Sequence, residues 1–267
     1  MRFSKAHAYG NDFLYVQRTE VDGVQLDVLA RQLCDRHAGI GADGLIVFDG
    51  TAESASMRLF NADGSRAEVS GNGLRALAAL LLRDDDRASA DILIQTEAGA
   101  KKLSRIERSG SRQTFRAAMG VPAAIRQIGL SAGGEDLQAA VLNMGNPQCV
   151  ILGPLPDDER FQRLGRELER HQQFAEGTNV EFAAVEAPAQ VRILIWERGV
   201  GPTTSSGTGA CAALVAAAAY GGAQRDAAVI APGGTQRVEW RDDGVYLTGW
   251  ADLICEGEWL QQIPRTR

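Results

Sequence analysis

Two stretches of this chain repeat one design, and the repetition limits its possible folds more than any other feature. Residues 195–219 read IWERGVGPTTSSGTGACAALVAAAA. This is an apolar strand end, then Glu197 and Arg198, a Gly-rich loop, and from Ser206 an Ala-rich helix so uniformly apolar that it must be buried. Residues 58–82 read RLFNADGSRAEVSGNGLRALAALLL. Leu59 and Phe60 end a strand, Asn61 stands at its exit, and Ser70-Gly71-Asn72-Gly73 opens an Ala/Leu helix. Ser70 and Ser206 lie 136 positions apart, as do Asn61 and Glu197. Gly41-Ala42-Asp43 falls opposite Gly177-Thr178-Asn179, and Gly10-Asn11-Asp12 opposite Gly145-Asn146-Pro147.

An offset near half the chain predicts two like domains; a solenoid repeats at far shorter periods. The boundary is expected near Met119-Gly120-Val121-Pro122, giving half-domains at 1–118 and 119–254, with the segment 255–267 returning to the first. Ser is a favoured N-cap, and a helix N-terminus presents unpaired N–H groups and a partial positive charge, a device that holds carboxylate or phosphate. Taken alone, Ser-Gly-x-Gly is an ordinary capped helix. Its recurrence suggests two anion-binding tips and an active cleft between the halves, suited to a small ligand with a central carboxylate.

Twenty-eight Lys and Arg against thirty-four Asp and Glu give a net charge of −6 with no basic run, so nucleic acid is not an expected partner. No apolar stretch is long enough to span a bilayer, and MRFSKAHAYGNDF lacks the apolar core of a signal peptide, so a cytoplasmic protein is expected. Cys34, Cys149, Cys211 and Cys255 form no C-x-x-C pair and read as buried thiols. His7, His37 and His171 are scattered, so no metal site is expected.

Along the chain, residues 1–18 read as strand, turn and strand, and 26–37 as an amphipathic helix. Asp84-Asp85-Asp86 reads as a solvated helix exit, 91–96 and 101–107 as strands, and 108–113 as a turn. Residues 158–171 read as a charged amphipathic helix and 245–248 as a last strand. Each half thus becomes a β-rich unit with two helices.

The motifs KAHAYGNDF (5–13), LCDRHAGIGADG (33–44), FNADGSRAEVSGNGLR (60–75), MGNPQCV (144–150), GTNVEFA (177–183), WERGVG (196–201), SGTGACAA (206–213) and APGG (231–234) together resemble diaminopimelate epimerase over nearly the whole length. The resemblance implies an α/β (α+β) fold of two pseudo-symmetric halves, each a β-sheet wrapped around a central helix. It implies a cofactor-free, two-base epimerase that converts LL- to meso-2,6-diaminopimelate in lysine and cell-wall biosynthesis, often as a homodimer. In that family a cysteine at each helix tip faces the substrate α-carbon, one taking the α-proton and the other returning a proton.

This chain carries serine at both positions, Ser70 and Ser206, and Gln148 where the family usually has a histidine assisting the first cysteine. The glutamate assisting the second is kept as Glu197. Carried over from the family as substrate contacts are Asn11, Asn61, Gly71, Asn72, Asn146, Asn179, Arg198, Gly207 and Thr208, with Arg198 suited to a carboxylate. A serine hydroxyl is far less acidic than a thiol and shuttles protons poorly unless a base activates it. Glu197 could serve Ser206, whereas Gln148 cannot accept a proton for Ser70. Three readings stay open: epimerisation with altered or impaired chemistry, a same-fold isomerase using Glu197 or Asp63 as sole base, and a non-catalytic amino-acid-binding protein. Gln148 speaks for natural divergence over an engineered trap, which needs only the cysteines changed.

Overall fold

The computed structural model describes residues 1–262. The chain divides into two units, Met1–Ala117 together with the chain from Gly249 onward, and Ala118–Thr248. Of the segment expected to return to the first half, residues 263–267 lie outside the described residues.

In the first unit, strands Arg2–Ala8 and Asn11–Gln17 form a hairpin. Its turn uses Tyr9 at φ 56° and Gly10 at φ 84°. Helix α1 (Leu26–Cys34) then crosses over, so that strand Gly44–Gly50 lies parallel to Asn11–Gln17 with Phe13 opposite Gly44. Ser54–Asn61 returns antiparallel. Helix α2 (Gly71–Leu81) makes the second crossover, to Ala90–Thr96, whose Leu93 lies opposite Ser54. Gly99–Ser109 and Arg112–Gly120 follow antiparallel. The last strand pairs with Arg2–Ala8 (Ala6 opposite Leu253), and Leu253 N donates to Ser111 O at 3.3 Å. The strands thereby close around α2, whose residues from Asn72 to Leu80 are all buried. α1 packs outside, setting Leu29, Ala30, Leu33 and Cys34 against Leu14, Val16, Leu45 and Val47.

The C-terminal end of α2 is anchored by an arginine that is 0% exposed. Arg105 Nη1 donates to Leu82 O at 2.8 Å, its Nη2 to Asp85 O and Arg87 O, and Gln113 Nε2 donates to Ala79 O at 2.8 Å. A cation there satisfies terminal carbonyls and complements the helix dipole. Asp85 therefore belongs to a buried network, ion-paired to Arg105 and Arg87, although Asp84 and Asp86 are solvated as expected.

The second unit repeats this order. Strands Ala123–Ala132, Glu135–Asn143 and Pro147–Leu152 form a meander. Helix α3 (Asp158–Glu169) crosses to Asn179–Ala187, parallel to Pro147–Leu152 with Gln148 opposite Asn179. Gln190–Glu197 returns antiparallel, and helix α4 (Gly207–Tyr220) crosses to Asp226–Ala231. Gly234–Arg241 and residues 244–248 complete the unit. Strand residues Val150, Ala183, Ile193, Ile195, Val229, Val238 and Leu247 surround α4, while α3 covers Cys149, Val180, Phe182 and Trp196. The alternation of period two sends Phe182 toward α3 and Glu181 and Ala183 toward α4.

The structure corrects several boundaries. α1 stops at Cys34 rather than residue 37, because the Asp35 carboxylate accepts from the N–H groups of His37 and Ala38 at 2.7 Å and turns the chain. α3 ends at Glu169 rather than residue 171. Within 108–113 only Gly110 and Ser111 lie between strands, and the last strand runs on from Gly244 to Glu258. Register also revises one correspondence. Phe13–Gly44 and Gln148–Asn179 are equivalent pairs, so Gly44, not Asp43, matches Asn179. The second unit then gains one residue at a bulge between Val185 and Ala187 before the helix tips come back into phase. No helix of the described residues is long and apolar enough to cross a membrane.

Candidate active site

The first helix tip is a Ser-Gly-x-Gly cap. Ser70, extended at φ −124° and ψ 124°, accepts from Gly73 N through Oγ at 3.2 Å and from Leu74 N through its carbonyl at 2.8 Å. Position 73 has no room for a side chain: a Cβ there would come within 2.6 Å of Ile46 Cδ1. Tyr15 Oη donates to Gly73 O at 2.9 Å. Asn72 Nδ2 donates to Asn11 Oδ1 at 3.2 Å, and its Oδ1 accepts from the buried Arg75 guanidinium. Asn11 Nδ2 in turn donates to Asp43 Oδ2 at 2.8 Å. Arg36 pairs with both Asp43 and Asp12, and Lys5 with Asp12. Burial alone would raise the Asp12 pKa, but its bonds to Arg36 and Lys5 outweigh this and hold it below the usual carboxylate range.

Asn61 and Asp63 belong to the adjoining turn. Asn61 Nδ2 donates to Ser65 Oγ at 2.9 Å. The Asp63 carboxylate accepts from Ser65 N and Oγ at 2.8 and 2.6 Å, which lowers its pKa and makes it a weak base.

The second tip has the same cap. Ser206, at φ −138° and ψ 130°, accepts from Gly209 N at 3.2 Å and from Ala210 N at 3.1 Å. A Cβ at Gly209 would come within 2.6 Å of Glu181 Oε1. Glu181, Gln148, Asn146 and Thr208 form one cluster. Gln148, 1% exposed, lies with one end of its carboxamide 2.6 Å from Asn146 Oδ1, and Asn146 Nδ2 donates to Thr208 Oγ1 at 3.4 Å. Glu181 is 0% exposed, and burial, reinforced by the neighbouring Glu197 charge, pushes its pKa well above the ordinary carboxylate value. Glu197 accepts from Thr203 Oγ1 at 2.8 Å; burial raises its pKa too, against that hydrogen bond. Both carboxyls are therefore raised, and neighbours of this kind take up their protons in coupled steps.

The Glu-Arg-Gly turn after this strand is held by two buried groups. Asn179 Oδ1 accepts from Arg198 N at 2.9 Å while its Nδ2 donates to Pro147 O at 3.3 Å. Glu169 accepts from Gly199 N at 2.8 Å and from Trp196 Nε1 at 2.7 Å. The Arg198 guanidinium is exposed and donates to Glu176 O at 3.1 Å.

Within the first unit, then, Ser70, Gly71, Asn72 and Asn11 lie at the α2 tip. Within the second, Ser206, Gly207, Thr208, Asn146 and Gln148 lie at the α4 tip, with Glu197, Arg198 and Asn179 on the adjoining strand ends. Sequence reasoning passed over Arg75, Asp43 and Glu181. Two of these carried a signal, being single charged residues inside otherwise apolar elements: Arg75 in an Ala/Leu helix and Glu181 in NVEFAAV. Cys34, Cys149 and Cys211 are buried as expected, and burial pushes Cys34 up to about 12, but Cys255 is exposed near the end of the last strand and corrects the expectation of four buried thiols.

The Diaminopimelate epimerase family model matches residues 3–124 and 140–254. A diaminopimelate epimerase of Desulforudis audaxviator is 39% identical over 281 residues, covering 98% of this chain and all of that protein. That of Desulfitobacterium hafniense is 36% identical, covering 98% and 99%. Among solved structures, a predicted epimerase from Pseudomonas aeruginosa matches with a TM-score of 0.74 at 15% identity, covering 98% of this chain and 99% of that one. A probable proline racemase from Agrobacterium radiobacter matches at 0.73 and 15%, covering 98% and 93%. At those identities the structures speak to fold alone, whereas the sequence matches run nearly end to end: the chain belongs to the diaminopimelate epimerase family.

Proposed function

We propose that this chain inverts the α-carbon of an amino acid bearing a second carboxylate-containing end, with diaminopimelate as the first candidate, and does so without a cofactor. The observation that carries the reading is the duplicated tip in a member of this family: a serine caps each helix, with its Oγ 3.2 Å from the backbone nitrogen three residues on.

Inversion requires a proton acceptor on one face of the carbon and a donor on the other. Helix N-termini supply N–H donors and partial positive charge, which would hold the α-carboxylate and stabilise the negative charge that develops when the α-proton leaves. In one direction Ser206 Oγ takes the α-proton as its own proton passes to Glu197. Ser70 Oγ–H delivers a proton to the opposite face and is reprotonated from solvent; no other atom is gained or lost. A hydroxyl needs this help because it is a poor acid and its conjugate base is scarce near neutral pH. The raised Glu197 pKa makes this carboxylate a stronger base than an ordinary glutamate. Asp63 is the weaker candidate for sole base, being held by Ser65 with its pKa lowered. Asn11, Asn61, Asn72, Asn146, Asn179 and Arg198 are assigned to substrate contact, with Arg198 offering the distal carboxylate a bidentate partner.

The test is α-proton exchange. The protein is incubated with LL-diaminopimelate in D2O and the α-proton followed by NMR. Exchange with conversion to the meso form supports two working groups. Exchange without inversion reduces the chemistry to one, on the Glu197 side. Saturable binding without exchange would reject the catalytic reading and leave a binding protein.

A further inference from the structure

Gln148 is buried with its carboxamide between groups that make opposite demands on it. One end lies 2.6 Å from Asn146 Oδ1 and the other 3.0 and 3.2 Å from the two Glu181 carboxyl oxygens. If Gln148 Nε2 faces Asn146, it donates to Oδ1, and Gln148 Oε1 then faces the Glu181 carboxyl. That contact is favourable only if the carboxyl is protonated and donates its O–H. If the amide is turned about, Nε2 donates to both Glu181 oxygens, and Gln148 Oε1 accepts from Thr208 Oγ1 at 3.3 Å. It would also face Asn146 Oδ1 as a second acceptor, so the Asn146 amide would have to turn with it. The second arrangement suits an ionised Glu181 and the first a neutral one.

We propose that Glu181 is a positioning residue: its proton decides which end of the Gln148 carboxamide faces Asn146 and Thr208, and so how these two side chains are presented at the α4 tip. Its role in ligand binding rests on the functional reading above, whereas its control of the amide does not. The groups facing Glu181 are few. Glu197 on the adjacent strand opposes ionisation. Gln148 on the other neighbouring strand answers either state. Above it the N-terminal turn of α4 at Gly209 favours ionisation through the helix dipole, and Cys211 lies further along that helix. The Cys149 thiol, on the strand carrying Gln148, is itself raised by burial and by the Glu181 charge. Burial and Glu197 together outweigh the dipole and raise the carboxyl pKa, so the first arrangement belongs to the lower pH range and the second to the higher. In the first unit the position under Gly73 is Ile46 and that of Gln148 is Phe13, so only one tip carries this control.

The experiment follows the Gln148 side-chain amide by 15N–1H NMR from about pH 5 to 10, assigned by its loss in Gln148→Leu. It is repeated in Glu181→Gln, whose carboxamide can donate to Gln148 Oε1 at every pH. The wild-type amide should titrate and that of Glu181→Gln should not. The KM for LL-diaminopimelate should rise with the same midpoint in wild type only. Glu181→Leu should raise KM about tenfold with a smaller effect on kcat, an effect that Glu181→Gln largely rescues. Titration persisting in Glu181→Gln, absence of titration in wild type, or an unshifted KM in Glu181→Leu would each overturn the proposal; if Glu181→Leu does not fold, the Glu181→Gln comparison decides it alone. Should wild type neither bind nor turn over diaminopimelate, the functional reading fails, and the amide titration still decides whether Glu181 sets Gln148.

Discussion

Ser70 and Ser206 cap their helices in the same way, yet the strands beneath the two tips differ in kind. Under α2 lie Ile46, Phe13 and Tyr15, with the Tyr15 hydroxyl donating to Gly73 O; under α4 the matching positions are Glu181, Gln148 and Val150. The first tip takes its polar character from above, through Asn72, Asn11 and Asp43. The second takes it from below, through a buried carboxyl and a carboxamide that a neutral core would not otherwise carry. The opposite ends differ as well. α2 finishes on the buried Arg105, whereas α4 closes on backbone bonds, from Gly221 N and Ala223 N to Ala217 O at 2.8 and 3.1 Å. The two tips share the serine cap and differ in the side chains that support it.

The largest expected effect tests the functional side of this asymmetry. Glu197→Gln should lower α-proton exchange by roughly 10²–10⁴-fold. Since the Glu197 pKa is raised, wild-type exchange should fall away on the acid side at a higher pH than an ordinary carboxylate gives, and that limb should vanish in the variant. Full exchange in Glu197→Gln would remove it from the chemistry. Next, the double change Ser70→Cys with Ser206→Cys restores acidic groups to both tips and should raise exchange at least about tenfold; the single Ser70→Cys should achieve more than Ser206→Cys, because only Ser206 has a carboxylate assigned to assist it. A larger gain from Ser206→Cys would reverse the assignment of the weaker face.

Two stability measurements sharpen the structural comparison. Arg105→Leu leaves the Leu82, Asp85 and Arg87 carbonyls without this donor and leaves Asp85 paired with Arg87 alone, and should cost about 1–3 kcal/mol in denaturant unfolding. A loss under about 1 kcal/mol would show that α2 needs no such anchor. Gly73→Ala should cost about 1–3 kcal/mol through its clash with Ile46 Cδ1. Adding Ile46→Val removes that atom and should recover much of the loss, whereas Gly209→Ala should gain nothing from Glu181→Gln, which keeps the same shape. Equal rescue at both tips would mean the two undersides are mechanically alike.

Much of the fold was legible because it depends on local periodicity and repetition. The Ala-rich run from 210 to 219 can only be buried, Ser-Gly-x-Gly marks a cap, and the offset of 136 pairs the halves without a structure. Boundaries were less legible. Whether α1 continues past Cys34 depends on the Asp35 carboxylate finding two backbone N–H groups. The equivalence of Gly44 with Asn179 depends on a bulge that only strand register reveals. Asp85 looked like its neighbours in an acidic triplet until Arg105, distant in sequence, was seen to bury against it.

The sequence by itself determined the family, the two-unit plan and the serine-capped tips, because these follow from motif order and from how each segment satisfies its own backbone. It also displayed a glutamine, Gln148, where the resemblance implies a histidine. Only the tertiary structure decided what that glutamine does, since its partners come from three other segments: Asn146 in the preceding turn, Thr208 on the helix tip and Glu181 on the neighbouring strand. A side chain's charge and hydrogen-bonding role depend on how deeply it is buried and on what faces it, and neither is written at its own position in the chain.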